Sequence, residues 1–146
     1  MIPESPFFEI PQSQWICANR SAFAIWDGYP VSAGHALVVT RRLISDWWEA
    51  TPDERADIFE LVDLVRAEIQ TLHSPDGFNV GFNAGNAAGQ TIDHLHIHII
   101  PRYTNDVADP RGGIRHVIPT RGNYLAAKDP APHESLMKGT ATGLES

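Results

Sequence analysis

In the stretch Ala84-Gly-Asn-Ala-Ala-Gly-Gln-Thr-Ile-Asp-His-Leu-His-Ile-His-Ile-Ile-Pro-Arg102, three histidines alternate with aliphatic residues directly after a loop punctuated by Gly85 and Gly89. Side chains of a β-strand point to opposite faces in turn. A strand over 94–100 therefore places His94, His96 and His98 on one face and Leu95, Ile97 and Ile99 on the other, with Pro101 closing it. The aliphatic face packs, and the imidazole face is available for chemistry. Three of the chain's seven histidines on one side of one strand are poor packing material. An imidazole buried without a partner costs desolvation, and Val or Ile would fill the space without that cost.

Working outward, Phe78-Asn-Val-Gly-Phe-Asn83 reads as the preceding strand, set off by the breaker Ser74-Pro-Asp-Gly77. Before it lies a helix with a marked start. Thr51-Pro-Asp-Glu54 combines a capping threonine, a proline at the first helical position and a glutamate three residues after the cap. Ile58, Leu61, Val62, Val65, Ile69 and Leu72 then share one face at the 3.6-residue period, which marks them as core. His73, in the last turn, suits the negative end of the helix dipole. Upstream, 15–19 and 22–26 read as a hairpin, Asp27-Gly-Tyr-Pro30 as a turn and 34–40 as a third strand with a β-branched centre.

Residues 1–14, rich in proline, read as an irregular arm whose Phe7 and Phe8 dock on the body. Downstream, 106–113 is rich in turn formers and Ile114–Pro119 has the composition of one more short strand. Residues 125–146 read as a partly mobile tail. Nothing resembles an interdomain linker, so 15–124 is expected to be a single domain of α+β class, with the helix packed on one face of an antiparallel sheet.

Eleven basic and 18 acidic residues give a net charge of -7, which opposes non-specific attraction to a nucleic-acid backbone. A small phosphorylated ligand is compatible with that charge, because donors local to a pocket outweigh the global sign. The single Cys17 excludes an intramolecular disulfide and suits a reducing compartment. With neither a secretory leader at the N-terminus nor a long apolar run, the expected location is cytoplasmic and away from membranes.

Two chemistries compete for the three histidines. As metal ligands they are hampered by spacing, since His94 and His98 lie about 13 Å apart along a straight strand while ligating nitrogens sit about 2.0–2.1 Å from zinc. Two can ligate together, and a third ligand would have to come from His35, His116, Asp27 or Asp93. As separate tools on a polyphosphate they fit without such convergence. A neutral imidazole is a competent nucleophile near neutral pH, and its attack on phosphorus gives a phosphoramidate that water can cleave. His96, flanked on both sides, is the natural nucleophile if one ring nitrogen is held as an N–H donor to a backbone carbonyl. The flanking imidazoles can bind or protonate phosphate oxygens. Gly85 and Gly89 allow close backbone approach, and Gln90 and Thr91 add uncharged donors. The loop lacks the Gly-Lys-Ser/Thr of a Walker sequence.

His94-Leu-His-Ile-His-Ile-Ile100 resembles the signature of the histidine-triad (HIT) family. The flanking Asn83-Ala-Gly-Asn-Ala-Ala-Gly-Gln-Thr91 and Pro101-Arg102 are similar to its diadenosine polyphosphate hydrolase (Fhit-like) branch. Phe23-Ala-Ile-Trp-Asp-Gly-Tyr-Pro-Val-Ser-Ala-Gly-His-Ala-Leu-Val-Val39 resembles the upstream element of that family. The resemblance spans about 15–103 and implies a five-stranded antiparallel sheet, extended across a homodimer. It also implies two-step cleavage at the α-phosphate of a dinucleoside polyphosphate or nucleoside phosphoramidate. In that scheme His96 forms the nucleotidyl intermediate and His98 contacts the phosphate and bridging oxygen. His94 orders the histidine network and His35 supports it. Asn83, Gly89, Gln90 and Thr91 bind phosphate or the leaving group, Asp27 accepts from ribose hydroxyls, and Phe23, Ile25 or Trp26 walls the base.

No metal ligand set or protein-bound cofactor is implied, although Mg²⁺ can accompany the substrate on its own oxygens. Ile97 stands where uridylyltransferase relatives carry proline, which counts against that activity. The 103–124 segment resembles an extension of microbial members, and Arg111 and Arg115 in it fit either distal phosphates or a solvated loop. A metal-dependent hydrolase and a nucleotide-binding module with little catalysis are the alternatives.

Overall fold

The computed structural model describes residues 4–126. By contacts the chain divides into two compact units, Met1–Asp106 and Val107–Ser146. The tail expected over 125–146 lies outside the described residues beyond Ala126.

The first unit is an α+β fold. Strands β1 (Cys17–Ala18), β2 (Ala22–Trp26), β3 (Ala36–Thr40), β4 (Gly77–Gly81) and β5 (His96–Arg102) form one sheet in the order β1-β2-β3-β5-β4, every pair antiparallel. The helix α1 (Pro52–His73) connects β3 to β4. Its capping box is present as the sequence requires: Thr51 Oγ1 accepts from the Glu54 amide at 3.1 Å, and Glu54 Oε1 accepts from the Thr51 amide at 3.0 Å. Such a box contributes about 1 kcal/mol to helix stability. The helix ends at Ser74, which adopts left-handed backbone ahead of Pro75.

Strand alternation sorts the sheet into two faces. Ala22, Ala24, Ala36, Val38, Leu95, Ile97 and Ile99 pack under α1 against Ile58, Leu61, Val65 and Ile69. Each of those four helix side chains is fully buried, a gain of roughly 1.5–3 kcal/mol apiece. Leu72, expected on the same stripe, is exposed, because it falls in the last turn. The opposite face carries a second, smaller core of Phe7, Phe23, Ile25, Leu37 and Val39, packed by Ile10, Trp15 and Ile92. This second core is where the N-terminal arm docks. Pro6–Glu9 and Gln12–Gln14 are single 3₁₀ turns, which seat Phe7 in the core while Phe8 remains half-exposed.

Several strand boundaries differ from the expected ones, β3 beginning at Ala36 and β4 running over Gly77–Gly81. β1 is two residues long rather than spanning 15–19. β5 starts at His96 and continues through Pro101 to Arg102. A proline is tolerated there because β3 pairing ends at Ala36↔Ile99, so no β3 carbonyl needs an N–H from position 101. The Pro101 carbonyl accepts instead from Ser32 Oγ at 2.7 Å.

In the second unit, the strand expected at Ile114–Pro119 is absent and two 3₁₀ turns, Gly113–Val117 and Pro119–Arg121, take its place. Gly112, in left-handed backbone, and Pro119 set these turns. Arg115 donates to the Gly122 and Arg121 carbonyls, and Arg111 pairs with Asp109 at 2.9 Å. Both arginines are thus used within their own loop. The pairing with Arg111 lowers the Asp109 carboxyl to about 2.

Candidate active site

The sheet and the arm together fix four histidines, and the protons on them follow from their hydrogen-bond partners. Arg102 and Gly77 at one end, and Val39↔His96 and Leu37↔His98 at the other, set the register of β5. His96 and His98 thereby project from the face that carries the second core. The Nδ1 of His96 lies 2.7 Å from the carbonyl of His94. A carbonyl only accepts, so Nδ1 of the neutral ring carries the proton and Nε2 presents its lone pair.

His35 is buried just before β3. Its Nδ1 accepts from the Val31 amide at 3.1 Å, so its proton sits on Nε2. That N–H lies 2.9 Å from Nδ1 of His98 and 3.3 Å from Oδ2 of Asp27. His98 therefore accepts at Nδ1 and carries its own proton on Nε2. One ring presents a lone pair and its neighbour an N–H. Burial, reinforced by the nearby His96 and His35, pushes the His98 pKa down to about 4, with Asp27 opposing. Burial likewise lowers that of His35, against the pull of Asp27.

His94 behaves differently. It precedes β5 and is fully buried, so the three histidines do not share one exposed face. Its Nε2 donates to the Thr40 carbonyl at 2.7 Å, and its Nδ1 lies 2.6 Å from Ser5 Oγ. Burial lowers its pKa, with the Thr40 carbonyl opposing and His96 adding to the shift.

Asp27, His35 and His98 offer ligand atoms all within 4.8 Å of one another, which invites a metal reading. The arrangement opposes it. An ion with bonds of about 2.0–2.1 Å spreads tetrahedral ligands roughly 3.3 Å apart, whereas the two imidazole nitrogens stand at hydrogen-bond distance, 2.9 Å. Freeing a lone pair on His35 Nε2 would move its proton to Nδ1, against the Val31 amide. The cluster is a hydrogen-bond chain as it stands.

Beside this chain opens a cavity of about 940 Å³, lined by His96, His98, Asp27, Asn83, Gly89 and Thr91 at its polar end. Phe7, Ile10, Trp15, Ile25 and Leu37 line its apolar part. Trp15 stacks on Phe23 with ring centroids 4.4 Å apart, so Phe23 backs the wall while Ile25 and Trp26 face the cavity. No lysine or arginine lines it among the described residues. Gly85 and Gly89 both have positive φ, at 88° and 86°, with open space where a Cβ would stand. Backbone conformation, rather than crowding, is what calls for glycine at both positions.

The HIT domain family model matches residues 9–105. The chain belongs to this family. Among curated HIT relatives, the "AP-4-A phosphorylase" of Mycobacterium tuberculosis is 34% identical over 110 residues, covering 71% of this chain and 56% of its own. The "Bis(5'-nucleosyl)-tetraphosphatase [asymmetrical]" of Schizosaccharomyces pombe is 38% identical over 80 residues, covering 55% and 44%. The chain thus spans about half the length of these relatives. Among solved structures, a hypothetical histidine triad nucleotide-binding protein from Sulfolobus tokodaii matches with TM-score 0.60 at 38% identity, covering 64% of this chain and 62% of that one. The NitFhit protein of Caenorhabditis elegans matches with TM-score 0.64 at 30% identity, over 75% of this chain and 26% of that one.

Within this HIT fold, the residues anticipated from sequence fall into two groups. His96, His98, Asp27, Asn83, Gly89 and Thr91 meet at the cavity, with His35 directly behind. His94 and Gln90 stand apart from it. Gln90 Oε1 accepts from the Gly85 amide at 2.9 Å, and its Nε2 donates to the carbonyls of Ser45 and Ile92. That side chain staples the glycine loop. His73, assigned to the helix dipole, packs its ring against Trp26 and under Gly34. The arm's contribution carries little signal in the sequence: Ser5 and the lining residues Pro6, Ile10, Ser13 and Gln14, with Trp15 just beyond them, meet the site from far away in the chain. Only the paired Phe7-Phe8 signalled that the arm docks at all.

Proposed function

We propose that this protein cleaves a dinucleoside polyphosphate, or a nucleoside phosphoramidate, at the α-phosphate through a covalent nucleotidyl-His96 intermediate. The carrying observation is the 2.7 Å contact of His96 Nδ1 with the His94 carbonyl, which leaves Nε2 unprotonated beside the cavity. The names of the Mycobacterium and Schizosaccharomyces relatives support the substrate class.

In the first step Nε2 attacks the α-phosphorus. A P–N bond forms and the P–O bond to the leaving phosphate breaks. The His98 Nε2–H donates to the bridging oxygen as it takes up charge. Asn83, Thr91 and the Gly89 backbone receive the phosphate oxygens, while Gln90 holds the loop that presents them. Asp27 Oδ1 already accepts from the Tyr29 amide at 2.8 Å, and a carboxylate keeps further lone pairs for ribose hydroxyls. Ile25, Trp26 and the arm wall the base. In the second step water attacks phosphorus, the P–N bond breaks and the nucleoside monophosphate leaves.

The protein supplies no metal in this scheme, and Mg²⁺ enters on substrate oxygens. β4 is an open edge of the sheet, and pairing with the same edge of a second copy would extend it across a homodimer. Inorganic phosphate as the second-step acceptor is an alternative reading, favoured by the phosphorylase relative. The products of diadenosine tetraphosphate cleavage in phosphate buffer separate the two, AMP marking water and ADP marking phosphate.

His96→Ala and His96→Asn are predicted to lower turnover by at least about a thousandfold while nucleotide binding persists by calorimetry. His96→Gly with added imidazole should recover part of the rate. Turnover near wild type in His96→Ala would contradict the mechanism.

A further inference from the structure

We infer that Ser5, in the N-terminal arm, is a positioning residue for the reaction, holding the His94 ring in the orientation from which it aligns the nucleophile. The inference rests on the reading of His96 given above. Ser5 and His94 are 89 positions apart and both are buried. The direction of every proton between them is determined. The Ser5 hydroxyl accepts from the Phe7 amide at 3.3 Å, which leaves its own proton for His94 Nδ1 at 2.6 Å. That nitrogen can accept because the other, Nε2, carries the ring proton and gives it to the Thr40 carbonyl at 2.7 Å. The His94 ring is pinned at both nitrogens, one to β3 and one to the arm.

What is pinned is the residue whose own carbonyl accepts from His96. A shift of the His94 ring moves that carbonyl, and with it the direction of the His96 lone pair. The arm adds two aromatic contacts. Phe7 lies 5.6 Å from the His94 ring and 5.0 Å from that of His96, and Phe8 lies 5.0 Å from His94. These contacts fill space around the rings but give Nδ1 no hydrogen bond. Among the described residues, the Ser5 hydroxyl is the donor that His94 Nδ1 meets. Without it, a buried ring nitrogen loses its donor, and either water enters or the ring turns.

The test compares Ser5→Ala with Ser5→Thr, in protein carrying ¹⁵N-labelled histidine. Threonine keeps the hydroxyl, and the extended backbone at position 5, φ -103° and ψ 137°, accepts a β-branched side chain. In Ser5→Ala the His94 Nδ1 resonance should move toward that of a free, unprotonated imidazole nitrogen. The single-turnover rate of nucleotidyl-His96 formation should fall on the order of tenfold, as expected for a lost hydrogen bond to a buried acceptor, with KM unchanged. Ser5→Thr should restore both.

A merely structural arm would lower stability without moving the nitrogen signal. An unmoved His94 signal in Ser5→Ala, or a moved signal with a wild-type rate, overturns the inference. Failure of the wild-type protein to form any adduct would instead overturn the functional reading, and the nitrogen signal would still decide the contact.

Discussion

His35, His94 and His98 are each assigned a neutral state by burial and a tautomer by a hydrogen-bond partner, a backbone group for His35 and His94 and the His35 ring for His98. All three have pKa values below their ordinary 6.5, so the unfolded chain binds more protons than the folded one as pH falls through that value. Stability therefore rises with pH in this window and is lost on acidification, for His98 down to about 4. Glu54 and Asp57 are shifted down from 4.5 and 3.8 by Arg42, and by Ser21 and Arg20, respectively. Their contributions are present above those values and disappear only below them. Loss of stability between roughly pH 6.5 and 5 thus belongs to the histidines. Urea midpoints measured across that range should fall on acidification, and a flat profile would mean that the imidazoles are not buried neutral.

At the scale of elements, the site depends on how α1 and the β2–β3 turn meet. Gly34, with φ at 90°, directly precedes His35, and a Cβ there would stand 2.8 Å from His73 Cδ2 and 3.2 Å from Ile69 Cγ2. Gly34→Ala combines positive φ with this crowding, and a loss of about 1–3 kcal/mol is predicted from denaturant unfolding. A wild-type midpoint would show that the turn is free to move away from α1. The helix itself was legible because its signals are local. Thr51-Pro-Asp-Glu54 caps it and Ser74-Pro75 stops it within a few residues of where the periodicity does. The run Ile114–Pro119 looked like a strand on composition alone, but composition does not supply a neighbouring strand, and Gly112 and Pro119 favour turns.

For the molecule as a whole, the His-x-His-x-His run and the element order made the fold and the cavity's polar end readable. What stayed hidden depends on contacts across the chain. Alternation put His94 beside His96 and His98, but Ser5 and Thr40 draw it into the interior ahead of the strand. Part of the cavity's apolar lining comes from the arm, whose prolines leave no periodicity to read. No helix among the described residues is long and apolar enough to cross a membrane. In the proposed reaction, the net charge of -7 and the absence of lysine or arginine from the described cavity lining leave phosphate binding to neutral donors aimed at close range. That division of labour, one imidazole lone pair to react and neutral N–H groups to receive charge, is the central claim. The most direct measurement is rapid mixing with diadenosine tetraphosphate, a quench within one turnover under conditions that preserve phosphoramidates, and peptide mapping by mass spectrometry. The account predicts an added adenylyl group on His96 and none in His96→Ala. Turnover with no covalent adduct, or an adduct on another residue, would contradict it.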